Sequence, residues 1–446
     1  MAVAAAHATH RGAVDPVRVE IHLRRAAESV ERAVEKRGIG RLDPLLPVDG
    51  RLELEAAVRG LLDTGNTTLA RRLCAAIRRQ TGHFAPLLVC RGPQADEISR
   101  ATRARFRLQW LDGRDVSEEP PLWADLKDNA PPRWSPRPSR NGEARCEFLV
   151  FETWSVCFVE REGILQANEY ALSRDALGEL VRGFEESLED GDESGVAVLA
   201  CDLYRALIAP LEPLLTDVRT LVVAPHGPLV DLPFAALGVG GALVERFAIA
   251  TAHPSIQSLY EDDAGLAPNS VVVMGDGATT EDLKIAPVEG RDAVESVDYR
   301  HGEALDIGQL VTTTGGGRFV HLVGHPVDGP GYVLRDDGET TSVLDLATAL
   351  GASGALCLTT INPIRASLER DRIGLSLAGV RGGLLASGWP VTSGNEFVHG
   401  FFSRAAHGSR RSALVNALAE TQRAFIANEA PVWQWAGFRL FVPEID

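Results

Sequence analysis

A mainly parallel α/β sheet flanked by helices, preceded by a mainly helical N-terminal region, is predicted by three features of the 446-residue chain. The first is a set of four short, almost wholly apolar runs at residues 220–224, 270–274, 318–323 and 354–361, with a fifth at 383–389 completing the sheet. Strands that face water on one side alternate; these do not, and helix-length stretches separate them, as a parallel sheet covered on both faces requires. The second is a helical apolar period upstream. The third is a proline-rich break between the two regions.

In the N-terminal region the helical period runs through Val19, Ile21, Leu23, Ala26, Val30, Ala33 and Val34, then Leu54, Ala57, Val58, Leu61 and Leu62, then Leu69, Leu73, Ala76 and Ile77. The last two sets flank Asp63-Thr64-Gly65-Asn66 and resemble a helical-hairpin repeat, but no fixed period recurs often enough for an array. Residues 84–90 and 106–111 read as short strands around a helix from about Asp96. The region 1–116 is therefore expected to be a mainly α-helical adaptor. Residues 117–145 carry Pro120, Pro121, Pro131, Pro132, Pro136 and Pro138 among charges, which resists helix and sheet alike and marks a linker. The second domain, 146–446, opens with an expected hairpin (147–151 and 154–160) and two helices (176–188 and 196–209), the second stopped by Pro210.

Composition narrows the function classes. With 45% apolar residues the chain can fill a full core and a second module. Forty-five basic residues against 61 acidic ones give a formal charge of −16, which repels phosphate backbones, so nucleic acid is not an expected partner. No stretch approaches the roughly 20 apolar residues of a membrane span, and residues 1–10 lack the basic start and apolar run of a secretory signal. A cytoplasmic protein with no membrane partner is expected. Cys74, Cys90, Cys146, Cys157, Cys201 and Cys357 are scattered without CxxC or Cys/His clustering, so neither a disulfide framework, a metal site nor another cofactor is expected.

A family resemblance rests on an ordered set of short motifs. Leu203-Tyr204-Arg205-Ala206-Leu207-Ile208 is followed by Leu221-Val222-Val223-Ala224-Pro225-His226-Gly227-Pro228-Leu229 and Leu232-Pro233-Phe234-Ala235-Ala236-Leu237, then Pro254-Ser255. Phe319-Val320-His321-Leu322-Val323-Gly324-His325 comes next, then Gly374-Leu375-Ser376-Leu377-Ala378, Gly388-Trp389-Pro390-Val391, Phe401-Phe402, Ala417-Leu418 with Gln422, and Trp435-Ala436-Gly437-Phe438. No piece is specific alone; the ordered set, over residues 146–442, resembles the CHAT domain, a relative of caspases and separases. The resemblance implies a caspase-like sandwich. It also implies a bacterial signalling or defence setting, with a protein partner such as a repeat-containing protein or an active CHAT subunit.

A caspase-like peptidase pairs a cysteine thiolate with a histidine proton shuttle, each at the C-terminal end of neighbouring parallel strands. A lone histidine at a strand end is most often structural, but the resemblance assigns His325 to the shuttle's position. Active members write Leu-Ser-Ala-Cys where this chain reads Leu358-Thr359-Thr360-Ile361, so Ile361 stands at the nucleophile's place. An aliphatic side chain has no lone pair with which to form an acyl-enzyme. Asn362-Pro363 also departs from the residues that usually follow. Cys357 lies four residues earlier, about 13 Å back along a strand, where an apolar setting leaves a thiol inert. Thr359 and Thr360 carry hydroxyls that would need a close base.

Weaker signals are set beside these. Asp231, next to Leu232-Pro233-Phe234, lines a pocket for a basic side chain if active relatives' preference for arginine or lysine carries over; a turn aspartate is the plainer reading. Gly275-Asp276-Gly277-Ala278-Thr279-Thr280 lacks the lysine and glycine spacing of a phosphate loop, and Gly315-Gly316-Gly317 reads as a flexible loop. The expectation is a catalytically inactive pseudo-peptidase acting as a protein-binding scaffold. Two rivals stand beside it. One is an active CHAT endopeptidase with a displaced nucleophile, cleaving after Arg or Lys. The other is a serine hydrolase built on Ser376, although Gly374-Leu375-Ser376 lacks the closing x-Gly of a nucleophile elbow.

Overall fold

The computed structural model describes residues 48–79, 139–253, 270–275, 296–301, 319–323, 325–326, 331–333, 340–342, 357–363, 383–391, 394–405 and 411–443. Helices α1 (Val48–Asp63) and α2 (Thr67–Arg79) contain the two apolar sets expected to be helical at 54–62 and 69–77. The turn between them needs its glycine: Gly65 sits at φ +75°, its N–H donates to Leu62 O, and the Asn66 N–H donates to Leu61 O. Those two bonds cap the last carbonyls of α1 in a Schellman motif. The helical pattern at 19–34, the expected strands at 84–90 and 106–111, the helix from Asp96 and linker residues 117–138 lie outside the described residues.

Strand β1 (Glu143–Val150) begins inside the stretch read as linker, because Glu143 already pairs with Thr220 in the parallel ladder to β4 (Thr220–Ala224). β1 turns antiparallel into β2 (Ser155–Arg161), as the expected hairpin, and β2 pairs with a strand the sequence reading did not identify, β3 (Ile164–Tyr170). Glu162 and Gly163 both have positive φ, 52° and 79°, the backbone of a two-residue type I′ hairpin. Helix α3 (Arg174–Glu189) starts at Ser173, whose Oγ accepts from the Ala176 N–H, and buries Leu177, Val181, Phe184 and Leu188 along one stripe. Helix α4 (Glu193–Leu207) ends before a 3₁₀ turn at Ala209–Leu214, where Pro210 has no N–H to continue the ladder.

The remaining elements are α5 (Leu243–Arg246), β5 (Ala248–His253), β6 (Ser270–Gly275), β7 (Ser296–His301), β8 (Phe319–Val323), β9 (His325–Pro326), β10 (Gly331–Val333), β11 (Thr340–Ser342), β12 (Cys357–Pro363) and β13 (Gly383–Ser387). They end with α6 (Gly394–Ala405), α7 (Arg411–Ala427), α8 (Val432–Trp435) and β14 (Phe438–Pro443). Eleven strands form one sheet in the order β3-β2-β1-β4-β5-β14-β13-β12-β8-β6-β7, and β11-β10-β9 form a small second sheet. The long sheet holds two parallel blocks, β1-β4-β5-β14 and β13-β12-β8-β6-β7. They run in opposite directions and meet at the antiparallel pair β13 and β14.

Helices cover both faces of the β1 and β2 hairpin, which is why Phe148-Leu149-Val150-Phe151 and Val156-Cys157-Phe158-Val159 read as unbroken apolar runs although the pairing is antiparallel. On one face Cys146, Phe148, Val150, Cys157 and Val159 join the main core with α3 and α4. On the other, Leu149, Phe151, Trp154, Val156 and Phe158 pack against Ala57, Val58, Leu61, Leu69 and Leu73 of the N-terminal hairpin. The N-terminal helices are thus a layer on the sheet. His226, in the motif after β4, accepts the Val150 N–H at Nδ1 (3.2 Å) and so satisfies the donor at the end of β1.

Candidate functional site

Strands β8 and β12 are hydrogen-bonded neighbours in parallel register, with Cys357 beside Phe319, Thr359 beside His321 and Thr360 beside Leu322. Ile361 follows Thr360 in β12, Val323 follows Leu322 and closes β8, and His325 opens β9 two residues beyond. The two sequence-predicted positions therefore belong to adjacent strand ends at the same edge of the sheet. Past that edge the backbone of His325 pairs antiparallel with Val333, so the chain leaves the large sheet at this point. Cys357 opens β12 at the opposite end, paired with Phe319 and Gly383.

The ladder between β12 and β13 is irregular at the position expected for the nucleophile. Thr360 pairs with Ala386 but Pro363 pairs with the next residue, Ser387, which leaves Ile361 and Asn362 extra in the β12 strand. Extra residues of this kind bend a strand and re-aim its side chains, and they recur beside active sites. The histidine within β8, His321, is fully buried and meets the Phe402 ring of α6 edge-on at 6.0 Å. Its place is the sheet interior, below the edge that His325 marks.

Next to this edge the chain forms a cleft of ≈ 470 Å³. It is lined by the C-terminal end of α3 and the turn beyond it (Glu185, Leu188, Glu189, Asp190, Gly191), by Gly388, Trp389 and Pro390 after β13, and by Trp433 and Asp231. Asp231 is buried and held by Arg439 of β14: Nη2 donates to Oδ1 at 3.0 Å, while Nη1 donates to the Val230 carbonyl at 2.7 Å. A basic side chain of the chain itself thus already faces Asp231, and the aspartate also borders the cleft. The Trp389 indole is fixed by donation from Nε1 to the Trp433 carbonyl at 2.7 Å. Gly437 makes room for it, since a Cβ there would lie 2.7 Å from both Trp389 Cε2 and Ser387 Oγ.

Sequence reasoning named Trp389 only as part of a motif, and it did not name Glu185, Glu189, Asp190 or Trp433. The available signal was the end of α3, which carries acids and no basic residue in its last turn. Ser376 and the loops beginning at Asp276 and Gly315 lie outside the described residues. Among the described residues no group of three or more His, Cys, Asp or Glu could hold a metal ion, and no helix is long and apolar enough to cross a membrane.

Comparison with known proteins adds the family. None of the curated proteins matches the sequence. Among solved structures, the separase–securin complex of Saccharomyces cerevisiae is similar at a TM-score of 0.39 and 8% identity; the match covers 95% of this chain and 40% of that chain. The CHAT domain family matches residues 198–443, which is more than half of the sequence and includes every strand from β4 to β14. The chain belongs to the CHAT domain family.

Proposed function

We propose that this chain is a catalytically silent CHAT-type domain, a pseudo-peptidase that serves as a protein-binding and regulatory scaffold in bacterial signalling or defence. The observation that supports the reading is the register of β8 and β12, whose last pair, Thr360 beside Leu322, lies one residue before Ile361 on one strand and one before Val323 on the other. Ile361 has neither a lone pair nor a titratable proton, so a proton shuttle at His325 would have no nucleophile to activate. Cys357 offers no rescue, since it opens β12 four residues away, about 13 Å along the strand. The partner is a protein, of a repeat-containing kind or an active CHAT subunit. The domain works in the cytoplasm without nucleic acid, membrane, metal or cofactor.

The test is a panel of fluorogenic peptides with Arg or Lys at P1, run with the wild-type protein and with His325→Ala. The expected outcome is no turnover by either protein, and unchanged capture of the native partner in pull-downs by the variant. Measurable cleavage that disappears in His325→Ala would sink the silent-scaffold reading and establish a nucleophile elsewhere in the chain.

A further inference from the structure

We propose that a second copy of this chain adds to the outer edge of β3, the two β3 strands pairing antiparallel about a two-fold axis at Ala167 and joining two sheets into one. The proposal stands apart from the scaffold reading above. β3 ends the eleven-stranded sheet, and among the described residues no strand covers its outer side. The two-residue turn at Glu162-Gly163 makes Arg161 and Ile164 a pair that exchanges both backbone hydrogen bonds, and the regular register to β2 carries this alternation to Gln166, Asn168 and Tyr170. Leu165, Ala167 and Glu169 therefore point their N–H and C=O groups outward. None of these groups has a backbone partner among the described residues.

Such a row is a template for another strand, and edges that stay free carry prolines, lysines, bulges or inward-pointing charges. β3 carries none of them. It contains no proline and no basic residue, its pairing with β2 shows no register shift, and Glu169, its single charge, is exposed. Ile164 stands 63% exposed at one end of the strand. The strand's own sequence suits a second copy, because an interface about a two-fold axis must be complementary to itself. Centring on Ala167 overlaps the whole strand and places Ile164 opposite Tyr170, Leu165 opposite Glu169 and Gln166 opposite Asn168 of the other copy. No like charges then face each other, whereas a register centred on Glu169 would set two carboxylates together. The outward residues also coincide: Ala167 meets Ala167 as a pair exchanging both bonds, flanked on each side by Leu165 with Glu169. A formal charge of −16 opposes the encounter of two copies, but salt at about 0.15 M screens it beyond about 8 Å. A single strand pair is small beside the roughly 1,200 Å² or more of stable interfaces, so the dimer is reversible and forms at tens of micromolar in order of magnitude.

Sedimentation velocity on the full chain, in reducing buffer from about 1 to about 200 µM, is expected to show a reversible shift from monomer to dimer. Ala167→Lys alters an exposed position and sets two like charges against each other at the axis, so it should weaken the dimer at least about tenfold. Ala167→Pro deletes an N–H that the ladder to β2 does not use and should have the same effect; if the proline variant does not fold, the lysine variant decides. Cross-linking reads the register. Ala167→Cys brings two Cα atoms to about 5.5 Å, within disulfide range, and should form a covalent dimer under copper–phenanthroline oxidation. Gln166→Cys leaves its two Cα atoms a diagonal apart, about 7–8 Å, and should lag about tenfold, with the wild-type chain as the control for its native cysteines. A wild-type chain that stays monomeric throughout overturns the proposal and leaves the edge to a strand of a different protein. A dimer that Ala167→Lys does not weaken, or Gln166→Cys cross-linking as fast as Ala167→Cys, overturns it as well.

Discussion

Arg71 of α2 lies buried between two carboxylates of the β1 and β2 hairpin, Glu147 and Glu160, which are themselves buried. Its Nε donates to Glu147 Oε1 at 3.1 Å, and Arg145 Nε approaches the same oxygen at 2.8 Å. Burial alone lowers the pKa of the Arg71 guanidinium, but the attraction of Glu147 and Glu160 outweighs it and the net shift is upward. The Arg71 guanidinium therefore stays charged. Removing one partner of a buried pair leaves the other charge uncompensated, which costs about 3–5 kcal/mol. Arg71→Met is expected to lower the urea unfolding free energy by that order, and adding Glu160→Gln should recover part of it. A loss below about 1 kcal/mol would place the pair in solvent and the N-terminal hairpin off the sheet.

The same docking shapes what proteolysis should yield. Prolines and charges between residues 117 and 138 offer little apolar area to offset ordering entropy, so the first cut is expected there. The fragments should nonetheless co-elute in gel filtration, because Ala57, Val58, Leu61, Leu69 and Leu73 remain packed on the sheet. They should separate only in denaturant. A single protected fragment spanning the linker, or native separation of the two products, contradicts this arrangement.

Gly437 sets a local limit on the cleft. Its absent Cβ is where Trp389 Cε2 and Ser387 Oγ approach, and the Gly388 N–H donates to the Gly437 carbonyl at 3.0 Å. Gly437→Ala is expected to cost about 1–3 kcal/mol by overpacking and to shift Trp389. Gly178→Ala is the matched control. A Cβ there meets nothing within 4 Å along α3, so it should stabilise by about 0.5–1 kcal/mol through helix propensity. Thermal unfolding of both variants checks the contrast; equal effects would mean that Trp389 does not pack against Gly437.

The legible parts of the fold were those whose burial is two-sided. Residues 220–224 read as a strand and are one, and β8, β12 and β13 lie within or close to their apolar runs. β3 went unread because four of its seven residues are exposed and Gln166, Asn168 and Glu169 interrupt its apolar pattern, although Glu162-Gly163 before it carried the hairpin signal. β5, Ala-Ile-Ala-Thr-Ala-His, is too rich in alanine to stand out from a helix, yet the main core buries it between β4 and β14. Asp231 shows the limit at the cleft. Sequence could place an acid beside Leu232-Pro233-Phe234, but its partner Arg439 lies 208 residues away and only the fold joins them.

A cysteine placed at the proposed nucleophile position is the sharpest test of the strand-end alignment. Ile361 follows Thr360, which is paired with Leu322, so a cysteine at 361 sits at the edge where β8 ends and His325 begins β9. A nearby histidine that holds a proton lowers a thiol's pKa from its free value of about 8.5 and raises its thiolate fraction. Ile361→Cys is therefore expected to react with a peptidyl acyloxymethyl ketone bearing P1 arginine faster than any of the chain's six native cysteines. Labelling needs a single attack, so it reports the dyad even where full turnover fails. Turnover is a stricter demand, because the irregular register at Ile361 and Asn362 re-aims this segment, and a displacement of about 1 Å costs on the order of a hundredfold in rate. Adding His325→Ala should slow the labelling toward that of a surface thiol. If the folded single variant already labels at the surface rate, and the histidine change alters nothing, positions 325 and 361 do not face each other and the assignment of the vestigial dyad fails.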